Sequence, residues 1–152
     1  MAQAQNFDVA LKRFEKMAGD RMGMLARATT LEIHRRVTEL SPVDTGRFRG
    51  NWMIGLNNVP TTYDWERYDK EGGSTIMAAM AAIAPYTGEG FASIVNNIEY
   101  GPELEGVAGG PPKSKQAPNG MVRITVAEAD QIALSIAREF SARKWKKGPA
   151  TP

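Results

Sequence analysis

The sequence predicts an α+β fold with a long N-terminal helix, a small antiparallel β-sheet, a short middle helix and a C-terminal helix packed on the sheet. Apolar residues recur at steps of three and four over 7–40 and again over 126–145, which is the period of an amphipathic helix. Two shorter segments, 47–58 and 91–97, contain aromatic and β-branched residues that suit strands. Because no domain-sized linker interrupts the chain, residues 1–152 are predicted to form a single domain.

The composition narrows the chemistry that one chain can perform. The 152 residues include no cysteine and one histidine, which excludes a disulfide framework, a thiolate zinc site, a cysteine nucleophile and a His-rich metal site. The 19 basic and 17 acidic residues leave a net charge of +2, unlike the strongly cationic chains that bind nucleic acid by charge alone. We therefore expect no metal, no cofactor and no enzyme activity.

Nothing in the sequence has the pattern of an export or membrane segment. The first residues lack a basic region followed by an apolar one. The longest apolar run, Ile76 to Ala84, has nine residues, whereas a membrane-spanning helix needs about 20. We therefore expect synthesis and assembly in a cytoplasm, with no membrane partner.

The first predicted helix, 7–40, is long for a chain of this size. Pro42 ends it, because the residue before a proline avoids the α region. At about 1.5 Å per residue the helix approaches 50 Å, which one domain of this size would struggle to cover. Part of its apolar stripe is therefore expected to contact another subunit. The stripe consists of Leu11, Phe14, Ala18, Met22, Leu25, Thr29, Ile33, Val37 and Leu40.

The next segment has the residues of a tight turn. Pro42 presets its own φ, Asp44 and Thr45 follow, and Gly46 accepts a positive φ. We expect the Asp44 carboxylate to accept a hydrogen bond from its own downstream backbone. The turn would then start the first strand.

In the predicted strand 47–58, the larger apolar residues share one parity and would face the core. They are Phe48, Trp52, Ile54 and Leu56. Arg47 and Arg49 alternate with Phe48, so they would face away from the core.

A polar loop is predicted over 61–72, followed by a short alanine-rich helix over 75–84 that Ser74 would cap. A long Gly/Pro/Lys-rich loop is predicted over 102–120. Thr125 and Glu128 match a capping box, in which the threonine caps the C-terminal helix and the glutamate reaches back. The tail 146–152 is expected to be flexible.

Asp44-Thr45-Gly46 also has the letters of an aspartic protease motif, in which two such carboxylates share a proton. The context differs, because Pro42 leads into the motif and Arg47 follows it, where its charge would hold Asp44 ionised. An aspartic-type peptidase is therefore an alternative, with a structural turn as the simpler interpretation.

His34 and Ser41 lie near Asp44 in the sequence, but proximity along the chain does not define a catalytic triad. A lone histidine on a helix is more typical of a surface or an interface. We expect no catalysis there.

Two basic clusters remain. Lys113 and Lys115 lie in the Gly/Pro-rich loop, and a second cluster surrounds Trp145 near the C-terminus. Such charges are usually solvated, but they could contact DNA phosphates or an acidic partner, so a small DNA-binding accessory protein is a further alternative. The second cluster consists of Arg143, Lys144, Lys146 and Lys147.

Three segments resemble the small neck or tail-completion proteins of long-tailed bacteriophages. Ser41–Trp52 is similar to that family's Pro-Val-Asp-Thr-Gly-x-Leu-Arg-x-x-Trp segment, with Phe48 where leucine is common. Residues 93–106 are similar to its Asn-x-x-x-Tyr-Ala-x-x-Leu-Glu-x-Gly stretch, with Gly101 in place of the usual alanine. A weaker match, 116–122, resembles the Pro-x-Gly-Met segment before the last helix.

The resemblance implies a structural virion protein, located in the neck or the head-proximal tail. Such proteins form rings of identical subunits, often six-fold, around the channel through which DNA passes. Neighbours would be head-closure, tail-terminator or tail-tube proteins, with non-specific contact to passing DNA.

Within such a ring, the loop 102–120 would be an assembly loop whose Lys113 and Lys115 face DNA or a partner. The arginines of the first motif would pair with a neighbour's acids. The predicted interface residues are Arg47, Arg49, Tyr100, Glu103 and Glu105.

Overall fold

The protein is described by a computed structural model that places the backbone of residues 2–146 and the side chains of 19–107 and 109–142. Its fold is α+β, as predicted, with a long N-terminal helix and a small antiparallel sheet. In chain order the elements are α1 (Ala2–Leu40), α2 (Arg47–Gly50), β1 (Met53–Leu56), α3 (Gly73–Ile83), β2 (Ala92–Val95), α4 (Gly101–Glu105), a 3-10 turn (Val107–Gly109), α5 (Val122–Ala127) and α6 (Ala129–Lys146).

Helices α1 and α6 pack together in opposite directions. Glu128, just before α6, forms an ion pair with Arg36 of α1, whereas Phe140 and Ser141 lie beside Arg21–Leu25. An open, mainly apolar cleft of about 440 Å³ lies between the two helices at this second contact.

The sheet consists of β1 and β2 alone within the described chain. The strands are antiparallel, with Met53 opposite Val95 and Leu56 opposite Ala92. Helix α3 packs against both β1 and α1. Helix α3 thus links the sheet to α1.

One core cluster joins these elements. It contains buried residues of α1, of α2, of the segment just before β1, of the segment between β2 and α4, and of the segment before α5, all at most 5% exposed. Its buried members are Val37, Phe48, Trp52, Ile98, Ala117 and Met121, with Ile94 and Leu104 packed against them.

The first strand is shorter than the predicted 47–58. Residues 47–50 form one helical turn instead, closed by a 2.9 Å bond from the Gly50 N–H to the Gly46 carbonyl. Phe48 and Trp52 are both buried. A spacing of four residues places two side chains on one side of a helical turn as well as on one face of a strand, so the apolar pattern fits either structure. The second strand lies within the predicted 91–97.

Both predicted hydroxyl caps are wrong. Ser74 is the second residue of α3, and Thr125 lies inside α5, where its hydroxyl donates to the Met121 carbonyl at 2.7 Å. The predicted loop 102–120 contains α4 and the 3-10 turn. The predicted flexible tail lies almost wholly outside the described residues. Among the helices the structure describes, none is long and apolar enough to cross a membrane.

Candidate functional site

The turn at 42–46 contacts the 61–72 loop at Gly46 and the side chain of Gln116 at Val43. Gly46 has φ of 90°, and a Cβ there would lie 2.6 Å from the Lys70 amide nitrogen, so this position requires glycine. The bond expected from Asp44 is made by Thr45, whose hydroxyl accepts from the Arg47 N–H at 3.2 Å. The Gln116 side chain pairs with both backbone groups of Val43, at 2.9 and 3.0 Å. The segment 116–122 thus stabilises the turn of the segment 41–52.

Phe48 is the point where the first two motifs meet. The Asn96 side chain donates to the Phe48 carbonyl at 2.7 Å, and the rings of Phe48 and Tyr100 lie 5.9 Å apart. Trp52 packs edge-on against Phe48 at 5.8 Å and donates through Nε1 to the Ser41 hydroxyl at 2.7 Å. The residues that carry the resemblance therefore form one packed unit.

The two arginines of the first motif bond within the chain. Arg47 donates to the Trp65 carbonyl at 2.7 Å and to the Tyr68 hydroxyl at 2.6 Å. Arg49 donates to the carbonyls of Glu39, Ser41 and Lys70 at 2.7–3.0 Å. The prediction that both residues project from a strand is wrong, because they lie in α2 and hold the 61–72 loop. Their place at a subunit interface stays a prediction.

The side chain of Asn51 also holds the 61–72 loop in place. Its side chain accepts from the Asp64 N–H at 2.8 Å and donates to the Asp64 carbonyl at 3.0 Å. The Asp69 N–H adds a bond to the Gly46 carbonyl at 3.1 Å. The loop is therefore an ordered part of the site, although its composition predicted only a polar connection.

The fixed loop presents an exposed aromatic surface, which we define as Tyr63, Trp65, Tyr68 and the guanidinium of Arg47. The three rings are 42–47% exposed. The guanidinium lies 4.1 Å from the Trp65 ring centre and 5.0 Å from that of Tyr68, within the range of cation–π attraction. Tyr63 packs edge-on against Trp65 at 6.1 Å. Sequence reasoning missed this surface, although three aromatic residues in a charged loop were a signal.

Asp69 replaces the predicted Ser74 cap of α3. Its carboxylate accepts from the N–H groups of Gly72 and Thr75 and from the hydroxyls of Ser74 and Thr75, at 2.7–2.9 Å. Partial burial alone would raise the pKa of this carboxyl, but the bonds from Thr75, Ser74 and Gly72 outweigh it and lower the pKa to about 2.

Glu105 caps the start of α5, as Asp69 caps that of α3. It accepts from three successive N–H groups, those of Met121, Val122 and Arg123, at 2.6–3.0 Å. Three free N–H groups at a helix start favour an anion there. The predicted partner role of Glu105 would therefore compete with its role in the fold, whereas Glu103 forms an exposed ion pair with Lys113 at 3.0 Å.

His34 is fully buried, which corrects the prediction of a surface or interface residue. Burial lowers the pKa of its imidazole, the backbone of Trp52 opposes the shift, and the charge of Arg67 adds to it. The hydroxyl of Ser41 donates to the Val37 carbonyl at 2.6 Å and accepts from Trp52. Both residues thus have structural roles in the core.

Asp44 borders an open cleft of about 300 Å³ beside the turn, which Arg47, Tyr100 and Gln116 also line. Among the described residues that line this cleft, Asp44 is the sole carboxylate. The shared-proton pair of an aspartic protease would therefore need a second chain. Within the described side chains, no group of three or more acids and histidines could hold a metal ion.

Of the two basic clusters, the structure describes the side chains of the first alone. Lys113 and Lys115 are exposed in the loop after α4. Four predicted partner residues lie outside the described side chains, although helix α6 continues to Lys146. They are Arg143, Lys144, Lys146 and Lys147.

Compared with protein families, with curated proteins and with solved structures, the chain matches none of them.

Proposed function

We propose that this chain is a structural virion protein of the bacteriophage head–tail junction, a neck or tail-completion protein. Identical copies would form a ring, expected to be a hexamer, that helps to join or complete the tail around the DNA channel. Head-closure, tail-terminator or tail-tube proteins would be its neighbours, and it would work by shape rather than by turnover.

One observation carries the proposal: the three segments that resemble the family pack against one another. Phe48 and Trp52 from the first segment, Ile98 from the second, and Ala117 and Met121 from the third share one core. Unrelated resemblances scattered along a chain would have no reason to meet in space. Their convergence supports reading them as one inherited structural unit.

The two departures from the family pattern also support the proposal, because they touch. Phe48 stands where leucine is common, and Gly101 where alanine is usual. A Cβ on Gly101 would lie 3.0 Å from Cε2 of Phe48, tighter than nine in ten real contacts of a Cβ. The larger side chain is thus matched by the loss of a methyl group.

The dimensions of α1 favour a unit of several copies. The helix has 39 residues, or about 58 Å, against the 18 residues of its partner α6. A helix gains most of its stability from packing an apolar face. Further copies of the chain are the natural source of that packing.

The decisive experiment removes the protein from a phage that encodes it. We expect particles without it to separate into filled heads and tails, or to carry tails with abnormal head-proximal ends, as seen by electron microscopy. Complementation with the wild-type chain should restore joined particles, and cryo-electron microscopy should then locate a ring of this fold at the junction. Normal infectious virions in the absence of the protein would overturn the proposal.

A further inference from the structure

The aromatic surface and residues 143–146, the described part of the basic C-terminal segment 143–147, lie at different levels along α1. Arg49 ties the loop that carries the aromatic surface to the carbonyl of Glu39, at the end of α1. Helix α6 runs the other way, and its Ser141 lies beside Arg21–Leu25. Leu25 and Glu39 are separated by about 21 Å along α1.

Residues 143–146 lie too far from the aromatic surface of their own chain to contact it. Helix α6 continues to Lys146, so residues 143–146 are carried still farther from the loop. Any contact between these two features must therefore join two copies of the chain.

The two features have complementary chemistry. The loop 61–72 contains four acidic and two basic residues, whereas 143–147 contains four basic residues, one tryptophan and no acid. Glu66 and Glu71 are exposed and form no ion pair among the described residues. Aromatic faces and free carboxylates together suit a cationic, tryptophan-bearing segment.

The aromatic surface also has the properties of a preformed contact. Tryptophan, tyrosine and arginine dominate the binding energy of protein interfaces. Here Arg47 holds Trp65 and Tyr68 in place through bonds of 2.7 and 2.6 Å, so little freedom remains to be lost on binding. Acidic residues around the rings disfavour the other occupant of such surfaces, a nucleic-acid strand.

We infer that copies of this chain associate head to tail, with the basic segment 143–147 of one copy bound to the aromatic surface of the next. Such a contact uses two different patches, so it closes into a ring when the rotation between copies fits. The inference rests on the proposed function, of which it supplies the subunit contact. Trp145 and Trp65 would contribute most, since exposed ion pairs add little.

A pair of complementary variants tests this contact. The surface variant carries Trp65→Ala, Glu66→Gln and Glu71→Gln, and the tail variant carries Trp145→Ala, Lys144→Gln and Lys146→Gln. We expect each alone to self-associate at least about tenfold more weakly than the wild type in sedimentation velocity. An equimolar mixture should form a 1:1 dimer that grows no further, because only one intact contact remains.

Control variants define the background. Glu89→Lys reverses an exposed charge before β2, and Met77→Ala removes an exposed side chain from α3. Both should associate like the wild type, and far-ultraviolet circular dichroism should show every variant folded. Raising the salt concentration should weaken wild-type association.

Three results would overturn the inference: a wild-type chain that stays monomeric at every attainable concentration, variants that associate like the wild type, or association that requires added duplex DNA. If the variants assemble normally while the protein is found as a ring in virions, the contact is wrong and the proposed function stands. If the contact is found but virions form normally without the protein, the proposed function is wrong and the contact stands.

Discussion

Two regions of the protein use apolar residues in opposite ways. One is the core around Phe48, and the other is the pair of helices α1 and α6. Around Phe48, apolar side chains are buried, and the indole N–H of Trp52 donates to the Ser41 hydroxyl. Between α1 and α6, Met22 and Met24 line an open cleft and stay exposed, and Leu134 of α6 is exposed as well. A closed core specifies one shape, whereas an open apolar face remains available to a neighbour.

The largest test of this contrast truncates one side chain from each region. Trp52→Ala empties a site that is 5% exposed and leaves the Ser41 hydroxyl without its donor, so we expect a loss of about 3–5 kcal/mol in the free energy of unfolding. Leu134→Ala, at a site 56% exposed, should cost less than about 0.5 kcal/mol. Urea denaturation of the monomeric chain measures both. Equal losses would show that the two regions are not different.

The sequence predicted the regular parts of this fold and missed the parts that depend on distant contacts. The period of apolar residues was sufficient for α1 and α6, because a long amphipathic helix carries its own signal. The 47–58 segment was assigned wrongly, because alternation of apolar residues over so few positions fits a helical turn as well. What decides between them is Gly46, whose positive φ and carbonyl bond to Gly50 begin α2.

The candidate site shows the same limit. The local sequence predicted a turn at Pro42, Asp44, Thr45 and Gly46, since turn chemistry is independent of the rest of the chain, although Thr45 rather than Asp44 accepts the backbone hydrogen bond. It could not assign the cap of α5 to Glu105, which lies 16 residues before Met121, nor the cap of α3 to Asp69. Residues that form hydrogen bonds over long sequence distances do so at no fixed spacing, so a sequence pattern does not identify them.

A second prediction sharpens the account of the closed core. Gly101→Ala should destabilise the protein by about 1–3 kcal/mol, because its methyl group would overlap the Phe48 ring. Adding Phe48→Leu should relieve the overlap, so the double variant should be more stable than the sum of the single effects predicts, by about 1 kcal/mol.

The measurement is a double-mutant cycle in the free energy of unfolding. Phe48→Leu combined with Leu134→Ala is the additive control, since Leu134 lies on α6 outside the core cluster. Additive effects at 48 and 101 would remove the argument that the two departures from the phage-family pattern compensate each other.

A third prediction concerns the loop that links the core to the aromatic surface. Because the folded-state pKa of Asp69 lies near 2, below the ordinary 3.8, its stabilising effect is complete above about pH 4 and is lost as the pH falls towards 2. Asp69→Asn should therefore cost about 1 kcal/mol at pH 7 and progressively less in acid.

Urea denaturation at several pH values between 7 and 2.5 measures this dependence. Glu66→Gln, in the same loop, removes a carboxylate whose oxygens accept no bond among the described residues, so its cost should stay near zero throughout. A constant penalty for Asp69→Asn across the range would mean that the charge is not what caps α3.

The smallest expected effect concerns His34, which is fully buried in the core. His34 is buried beside Thr38, and its Nε2 makes no hydrogen bond to a described residue. Its folded-state pKa lies below the ordinary 6.5, so the unfolded chain takes up the proton first and stability falls as the pH drops below 6.5. The charge of Arg67 works in the same direction, and the backbone of Trp52 works against it. His34→Leu should flatten the unfolding free energy between pH 8 and pH 5, at the cost of the weak contact to Thr38. If the slope between pH 8 and pH 5 persists in His34→Leu, the buried imidazole is not its source.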